Sequence, residues 1–252
     1  MTRKTRRLLF YVAFVIFLFL SFVAVIYARG YKYSFDEQRF VRTGAISMKL
    51  NTDANVYIND KLTGTTSFLG NSFSKGGLLP GQYSIRISKD NYTAWQKKVS
   101  VQEGFVTDFP KIMILSETEE EREKIINEIE IIFEGKKPSS PSDPFYIKNK
   151  KLYSNNGPEP EVIAQEVLGF SLSPNENKLA WWNTNNEIRV MWLKNADYQP
   201  YRGEEDIELI TRFSTKIKKI DWFRGEDHIV VDSLGYKIIE IDTRGGINII
   251  KL

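Results

Sequence analysis

Side chains able to carry chemistry are sparse in this chain of 252 residues. It has one histidine, His228, and no cysteine. That composition excludes disulfides, thiolate nucleophiles, thiolate metal sites and any zinc site that needs two histidines. His228 opens the apolar run His228-Ile-Val-Val231, where a solvated strand-edge residue is expected rather than a proton-transfer group. Asp221 and Asp232 lie near strand ends and could ligate a cation, but two carboxylates fall short of the six to eight oxygens that calcium takes. Gly-x-Ser-x-Gly and P-loop patterns are missing. A carboxylate pair remains open, because its members can be distant along the chain. Tyr92, Trp95 and Phe105 could stack on a sugar, though aromatics beside strand ends are expected to close a small core. Trp181, Trp182, Trp192 and Trp222 read in the same way as packing residues. Asn91-Tyr92-Thr93 has the form of a glycosylation acceptor, a triplet that also arises by chance. No catalytic, cofactor-binding or metal residue is assigned, and no cofactor is expected.

Whatever these residues do, they are positioned by an anchored chain. Leu8 to Ala28 is a run of 21 residues whose polar members are Tyr11, Ser21 and Tyr27. As a helix it would span about 31 Å, the thickness of a bilayer's hydrocarbon. Arg3, Lys4, Arg6 and Arg7 precede it, and Arg29 and Lys32 follow. The positive-inside rule then gives a cytoplasmic tail at 1–7, a span at 8–28 and everything later outside the cytoplasm. A cleaved signal would have a shorter apolar core and a small residue where Ile26 stands. Tyr27, Tyr31 and Tyr33 read as an aromatic belt at the outer interface. The tail holds four of the 35 basic residues, and the remaining 31 face 32 acidic ones. A nucleic-acid partner, which needs a basic stripe, is not expected.

From Gly44 the apolar pattern alternates: Ile46, Met48, Leu50; Val56, Ile58; Tyr83, Ile85, Ile87; Val99, Val101; Ile112, Ile114. Period two in short runs predicts a half-buried antiparallel sheet or sandwich. Asn59-Asp60 and Pro80-Gly81 are turn signals, with Gly81 expected at the positive-φ corner of a type II turn.

Ala54-x-Val56-x-Ile58, Gly64-x-Thr66 and the stretch from Leu79-x-Gly81-x-Tyr83 to Tyr92 resemble the PEGA domain of prokaryotic surface proteins. The resemblance spans about 43–115. Asn51-Thr52-Asp53-Ala54 stands in place of Pro-Glu-Gly-Ala, Ser67 in place of a proline and Asn91 in place of a glycine. The resemblance implies a small extracellular β-sandwich next to a membrane anchor or cell wall, with no catalytic residues.

The connector at 116–144 has two parts. Ile125, Ile129, Ile132 and Phe133 form a helical stripe behind an acidic first turn, predicted to be capped by Ser116, stopped at Gly135 and docked on one of the β modules. Lys136 to Pro144 reads as a semi-stiff Pro/Ser linker and a domain boundary.

Residues 145–252 contain a repeat. Phe170 to Trp181 aligns without a gap on Ile220 to Val231, at an offset of 50. Each copy reads as strand, polar turn, strand, and two further strands follow. Four short strands per unit is the pattern of a β-propeller blade. The first copy, Phe170-Ser-x-Ser-Pro-Asn, is similar to TolB-like and WD-repeat blades. Phe145 to Val167 is expected to hold two or three strands of a preceding unit. Two or three units are too few for a closed propeller, and the last strand, Ile247 to Leu252, would be an apolar edge. The expectation is a truncated member of a longer family; the edge pairing with another chain, or an open sandwich, are the alternatives.

The expected architecture is thus mainly β: a transmembrane helix, a PEGA-like sandwich, then incomplete blade-like repeats. The expected function is that of a non-enzymatic envelope protein whose β modules bind a protein or a surface polymer. The alternative is an envelope hydrolase, or a hydrolase accessory, with a carboxylate-based site. A signalling sensor is disfavoured, since seven residues before the span leave no room for an output domain.

Overall fold

The computed structural model describes residues 2–135 and 139–252. The apolar run forms α1 (Arg3–Ala28), capped by the Thr2 hydroxyl accepting from the Thr5 N–H. None of its side chains is buried, so the other described residues offer this helix no core to join. A short hairpin follows, β1 (Tyr31–Ser34) and β2 (Arg39–Arg42). The sequence pattern did not reveal it, since four-residue strands of mixed aromatics and cations carry no clear alternation.

Seven strands then form two sheets: β3 (Gly44–Leu50), β4 (Asn55–Ile58), β5 (Lys61–Thr65), β6 (Ser72–Leu78), β7 (Gly81–Ser88), β8 (Trp95–Val101) and β9 (Val106–Ile112). The sheet orders are β6-β3-β9 and β5-β4-β7-β8. Ile46, Met48, Val56, Ile85, Ile87, Val99, Val101 and Ile114 meet between the sheets, with Tyr83 and Tyr92 packed at the margin. The alternation therefore assigned the core face correctly. It missed one pairing: β9 runs parallel to β3. The reason is the turn before it. Phe105 accepts from the Ala45 N–H at the start of β3, so β9 enters the other sheet beside that start and runs in the same direction. Asn59 and Asp60 both take positive φ, 49° and 60°, as a two-residue hairpin between β4 and β5 requires. Gly81 is not a type II corner. It already belongs to β7, with φ +154°, while the type II corner sits at about +80°.

Helix α2 (Glu119–Glu134) begins two residues later than Ser116 suggested, with Thr118 as its N-cap. Ser116 is drawn instead into a bridge with Tyr92. Glu119, Glu120 and Glu121 occupy the positive end of the helix dipole. Ile125, Ile129 and Phe133 pack on Phe223, Val230 and Ile238, so the helix docks on the C-terminal module. Of the expected linker, residues 136–138 lie outside the described residues. The part that follows is fastened down, with the Asn155 amide donating to Pro141 O at 2.7 Å and Asp143 O at 2.8 Å.

The C-terminal region contains three sheets, each an antiparallel meander. The first has β10 (Phe145–Lys148), β11 (Lys151–Ser154) and β12 (Glu161–Ala164). The second has β13 (Val167–Leu172), β14 (Lys178–Asn183), β15 (Glu187–Trp192) and β16 (Ile207–Arg212). The third has β17 (Lys219–Trp222), β18 (His228–Asp232), β19 (Tyr236–Glu240) and β20 (Ile249–Lys251). The offset of 50 is visible as contact: the Ser171 hydroxyl on β13 donates to Asp221 on β17 at 2.6 Å. Trp182, Trp192 and Trp222 pack in the core between these two sheets, and Trp181 in the core on the other side of β14. Ile250 and Leu252 lean on the cluster built around α2, so the face of the last strand is covered from within the chain.

Candidate functional site

In β8 the alternation Trp95-Lys97-Val99-Val101 is buried throughout. One member of that apolar register is a lysine, 1% exposed. β8 and β9 lie in different sheets, so the sandwich core meets the C-terminal module along this side. The Lys97 ammonium reaches Glu240 Oε1 at 2.6 Å and also donates to the Asp242 carbonyl. Trp95 Nε1 donates to the other oxygen of Glu240 at 2.8 Å, and the Asn248 amide donates to Oε1 at 2.8 Å. Both oxygens of a nearly buried carboxylate are thus satisfied, which is the condition for burying an ion pair at all.

The strand edges are closed in the same place. The Lys98 N–H donates to Gly245 O at 3.3 Å and the Gln96 N–H to Asn248 Oδ1 at 3.1 Å. A side chain at Gly245 is impossible, because a Cβ there would stand 2.1 Å from Lys98 O, and its φ is +67°. On β9 the Gln199 amide imitates a neighbouring strand. It accepts from the Asp108 N–H at 3.0 Å and donates to Val106 O at 2.8 Å. Arg244 donates to Asp108 O at 2.7 Å and pairs with Asp242 at 2.6 Å, its guanidinium 4.4 Å from the Phe109 ring centre. Two edges that would otherwise invite foreign strands are occupied from within the chain.

A second polar cluster adjoins the first. Lys178 is buried on β14 and donates to Tyr198 Oη at 2.9 Å, with Asp227 at 3.2 Å and Glu226 at 3.6 Å. Tyr198 donates to Asp227, and burial together with that carboxylate raises its phenol above the ordinary tyrosine range. His228 is a correction to the sequence reading. It is not a solvated edge residue but 7% exposed. Strand position alone does not reveal this, because residues remote in sequence cover it. Burial lowers its pKa to about 4 against a partial opposing pull from Asp227, so it is neutral at pH 7. Lys178, Tyr198 and Asp227 thus hold one another inside the protein.

The expected site residues do not converge. Trp95 is core, and Tyr92 is half-buried with the Lys89 ammonium 4.7 Å from its ring centre. Phe105, expected to close the core, is 66% exposed: Glu103-Gly104 turns the chain outward, with Gly104 at φ +75°. Asp221 accepts from Ser171 while Asp232 faces Lys218 at 3.2 Å. Among the described residues no three His, Cys, Asp or Glu side chains gather as a metal site would require. The sequence reading missed Lys97, although a charged residue in the buried register of an alternating strand was the available signal.

Open grooves flank the seam. One of about 660 Å³ is bordered by Lys49, Asn51, Lys111, Arg224, Glu226 and His228. Another of about 720 Å³ is bordered by Gln82, Lys98, Gln102, Phe105, Gln199 and Tyr201. Between them, Trp95, Phe109, Trp192 and Tyr198 help enclose a cavity of only about 30 Å³, the share of one water molecule.

Residues 51–113 match the PEGA domain family, inside the two-sheet module. No curated protein matches the chain.

Proposed function

We propose that this chain is a single-pass, membrane-anchored extracytoplasmic protein that catalyses no reaction. In this reading its clamped β modules present the flanking grooves to another envelope protein or a surface polymer. The observation that carries it is the continuity of the chain: an apolar helix with no buried side chain leads, through the β1–β2 hairpin, into a module matched to the PEGA domain. Basic residues before the helix orient its N-terminus to the cytoplasm. The polar clusters at the seam serve to clamp the modules, which leaves recognition to the groove surfaces. Nucleic acid is not a partner in this reading, because basic and acidic side chains balance outside the first turn of α1.

We read the C-terminal sheets as blade-like. Their meander order, the contact of the first strands β13 and β17, and the Ser171–Asp221 bond at the repeat offset support this.

The test is capture with the detergent-solubilised full chain from envelope extract treated separately with protease and with glycan-degrading enzymes. Specific capture that one treatment abolishes supports the binding reading and identifies the partner class. Turnover of an envelope polymer by the purified chain would overturn it. Topology is read independently, from a tag at residue 252 that should be digested by protease added to intact spheroplasts.

A further inference from the structure

The hairpin β1–β2 has two unlike faces. Across its register Tyr31 faces Arg42 and Tyr33 faces Phe40, while Lys32 faces Val41 and Ser34 faces Arg39. The second set is turned to the module: Val41 is fully buried, Ser34 is 6% exposed, and the Lys32 ammonium donates to Gly77 O at 2.7 Å. The first set, apart from Arg42, whose side chain lies against Gly104, is turned away from it and is aromatic. Tyr33 packs edge-on against Phe35 at 5.2 Å and Phe40 at 5.4 Å, yet Phe35 remains 84% exposed and Phe40 41% exposed.

This face lies at the end of α1 with no slack between them. The base of the hairpin is closed by Thr43, whose N–H and hydroxyl both donate to Gly30 O at 2.8 Å. The hairpin is also tied to the β8–β9 turn, since Glu103 accepts from the Arg42 N–H at 3.0 Å. Of the four cations in residues 29–42, Lys32 is bonded to Gly77 O and Arg39 pairs with Glu37 at 2.5 Å, which leaves Arg29 and Arg42 against Asp36. Amphipathic aromatics with a cationic surplus, held where a helix leaves hydrocarbon, match the chemistry of a lipid headgroup layer.

We propose that the β1–β2 hairpin is a membrane-contact plate: its Tyr31–Tyr33–Phe35–Phe40 face lies in the headgroup region and fixes the ectodomain in one orientation on the bilayer. This extends the expected belt of Tyr27, Tyr31 and Tyr33 to two phenylalanines and gives it a mechanical role. It rests on α1 being a membrane span.

The absence of native cysteine makes the test direct. Single variants Phe17→Cys, Phe35→Cys, Phe40→Cys and Phe68→Cys of the full chain are spin-labelled and reconstituted in vesicles of phosphatidylcholine and phosphatidylglycerol. Phe68 is the aqueous reference. It is 95% exposed and lies in the loop leading to Asn71, which pairs with the far end of β3. That end is about 20 Å from the hairpin by strand rise. Expected are oxygen-over-nickel-chelate collision ratios at Phe35 and Phe40 several-fold above that at Phe68, with the highest ratio at Phe17. Labels at 35 and 40 as aqueous as 68, with 17 in hydrocarbon, would overturn the plate and spare the anchor. An aqueous label at 17 would overturn both.

Discussion

Two interiors of this molecule are built from opposite materials. The core of the sandwich is made of Ile46, Met48, Val56, Ile85 and Ile87, with side chains that attract any apolar neighbour. The seam to the C-terminal module is made of Lys97, Glu240, Asp242, Arg244 and Gln199, whose bonds require one partner at one distance. An apolar core supplies stability without directional demands. A buried ion pair supplies little net stability over an apolar replacement, yet is costly to break from one side. The comparison teaches a division of roles: burial folds each module, and charge sets how the two modules meet.

The largest expected effect comes from breaking the seam on one side. Lys97→Ala strands the Glu240 carboxylate and should destabilise the detergent-solubilised chain by about 3–5 kcal/mol. The double variant Lys97→Met, Glu240→Leu should recover most of that loss in the same thermal melt. A double variant no better than the single one would mean that Lys97 contributes by packing.

Acid provides the next contrast. His228 titrates near 6.5 when unfolded and near 4 when folded, so below pH 6.5 the unfolded state holds more protons. The stability that His228 contributes is therefore complete above about pH 6.5 and is lost as pH falls through about 4, a loss of about 3 kcal/mol. His228→Leu should flatten this part of the pH–stability profile measured by urea melts, while Ile85→Val should leave its shape unchanged. An identical slope in His228→Leu would assign the acid sensitivity elsewhere.

Tyr83 probes the margin of the apolar side. Its ring is half-buried and its hydroxyl donates to Leu79 O at 2.8 Å. Tyr83→Ala should cost about 2 kcal/mol, below the 3–5 kcal/mol of a fully buried ring. The smallest effect is expected on the surface. Arg224 pairs with Glu128 of α2 at 2.6 Å, with both side chains more than a third exposed, and Arg224→Ala should change stability by less than about 1 kcal/mol.

The same contrast explains what the sequence made legible. Alternation is a local signal, so the core strands from Ile46 to Ile114 and the two aligned copies at 170 and 220 could be read directly. The α2 stripe was legible for the same reason, as was its need for a β surface. The burial of His228 was not, because it depends on groups brought together by tertiary contacts. The parallel placement of β9 was hidden, since pairing direction depends on which sheet a turn enters. Gln199, acting as a stand-in for a strand on β9, has no local pattern at all. Lys97 was legible in principle: the register Trp95-Lys97-Val99-Val101 placed an ammonium on a buried face, and such a charge requires a partner.

Amide hydrogen exchange at the seam tests the clamped pair of modules most directly. The Gln96, Lys98 and Asp108 N–H groups donate to Asn248, Gly245 and Gln199. In the full chain they should be protected well above exposed-loop amides. In Lys97→Ala they should exchange faster together with residues 240–248, while Ile85 and Ile87 keep their protection. If these three amides exchange in the unaltered chain at the rate of free strand edges, the modules are not clamped and the account is wrong.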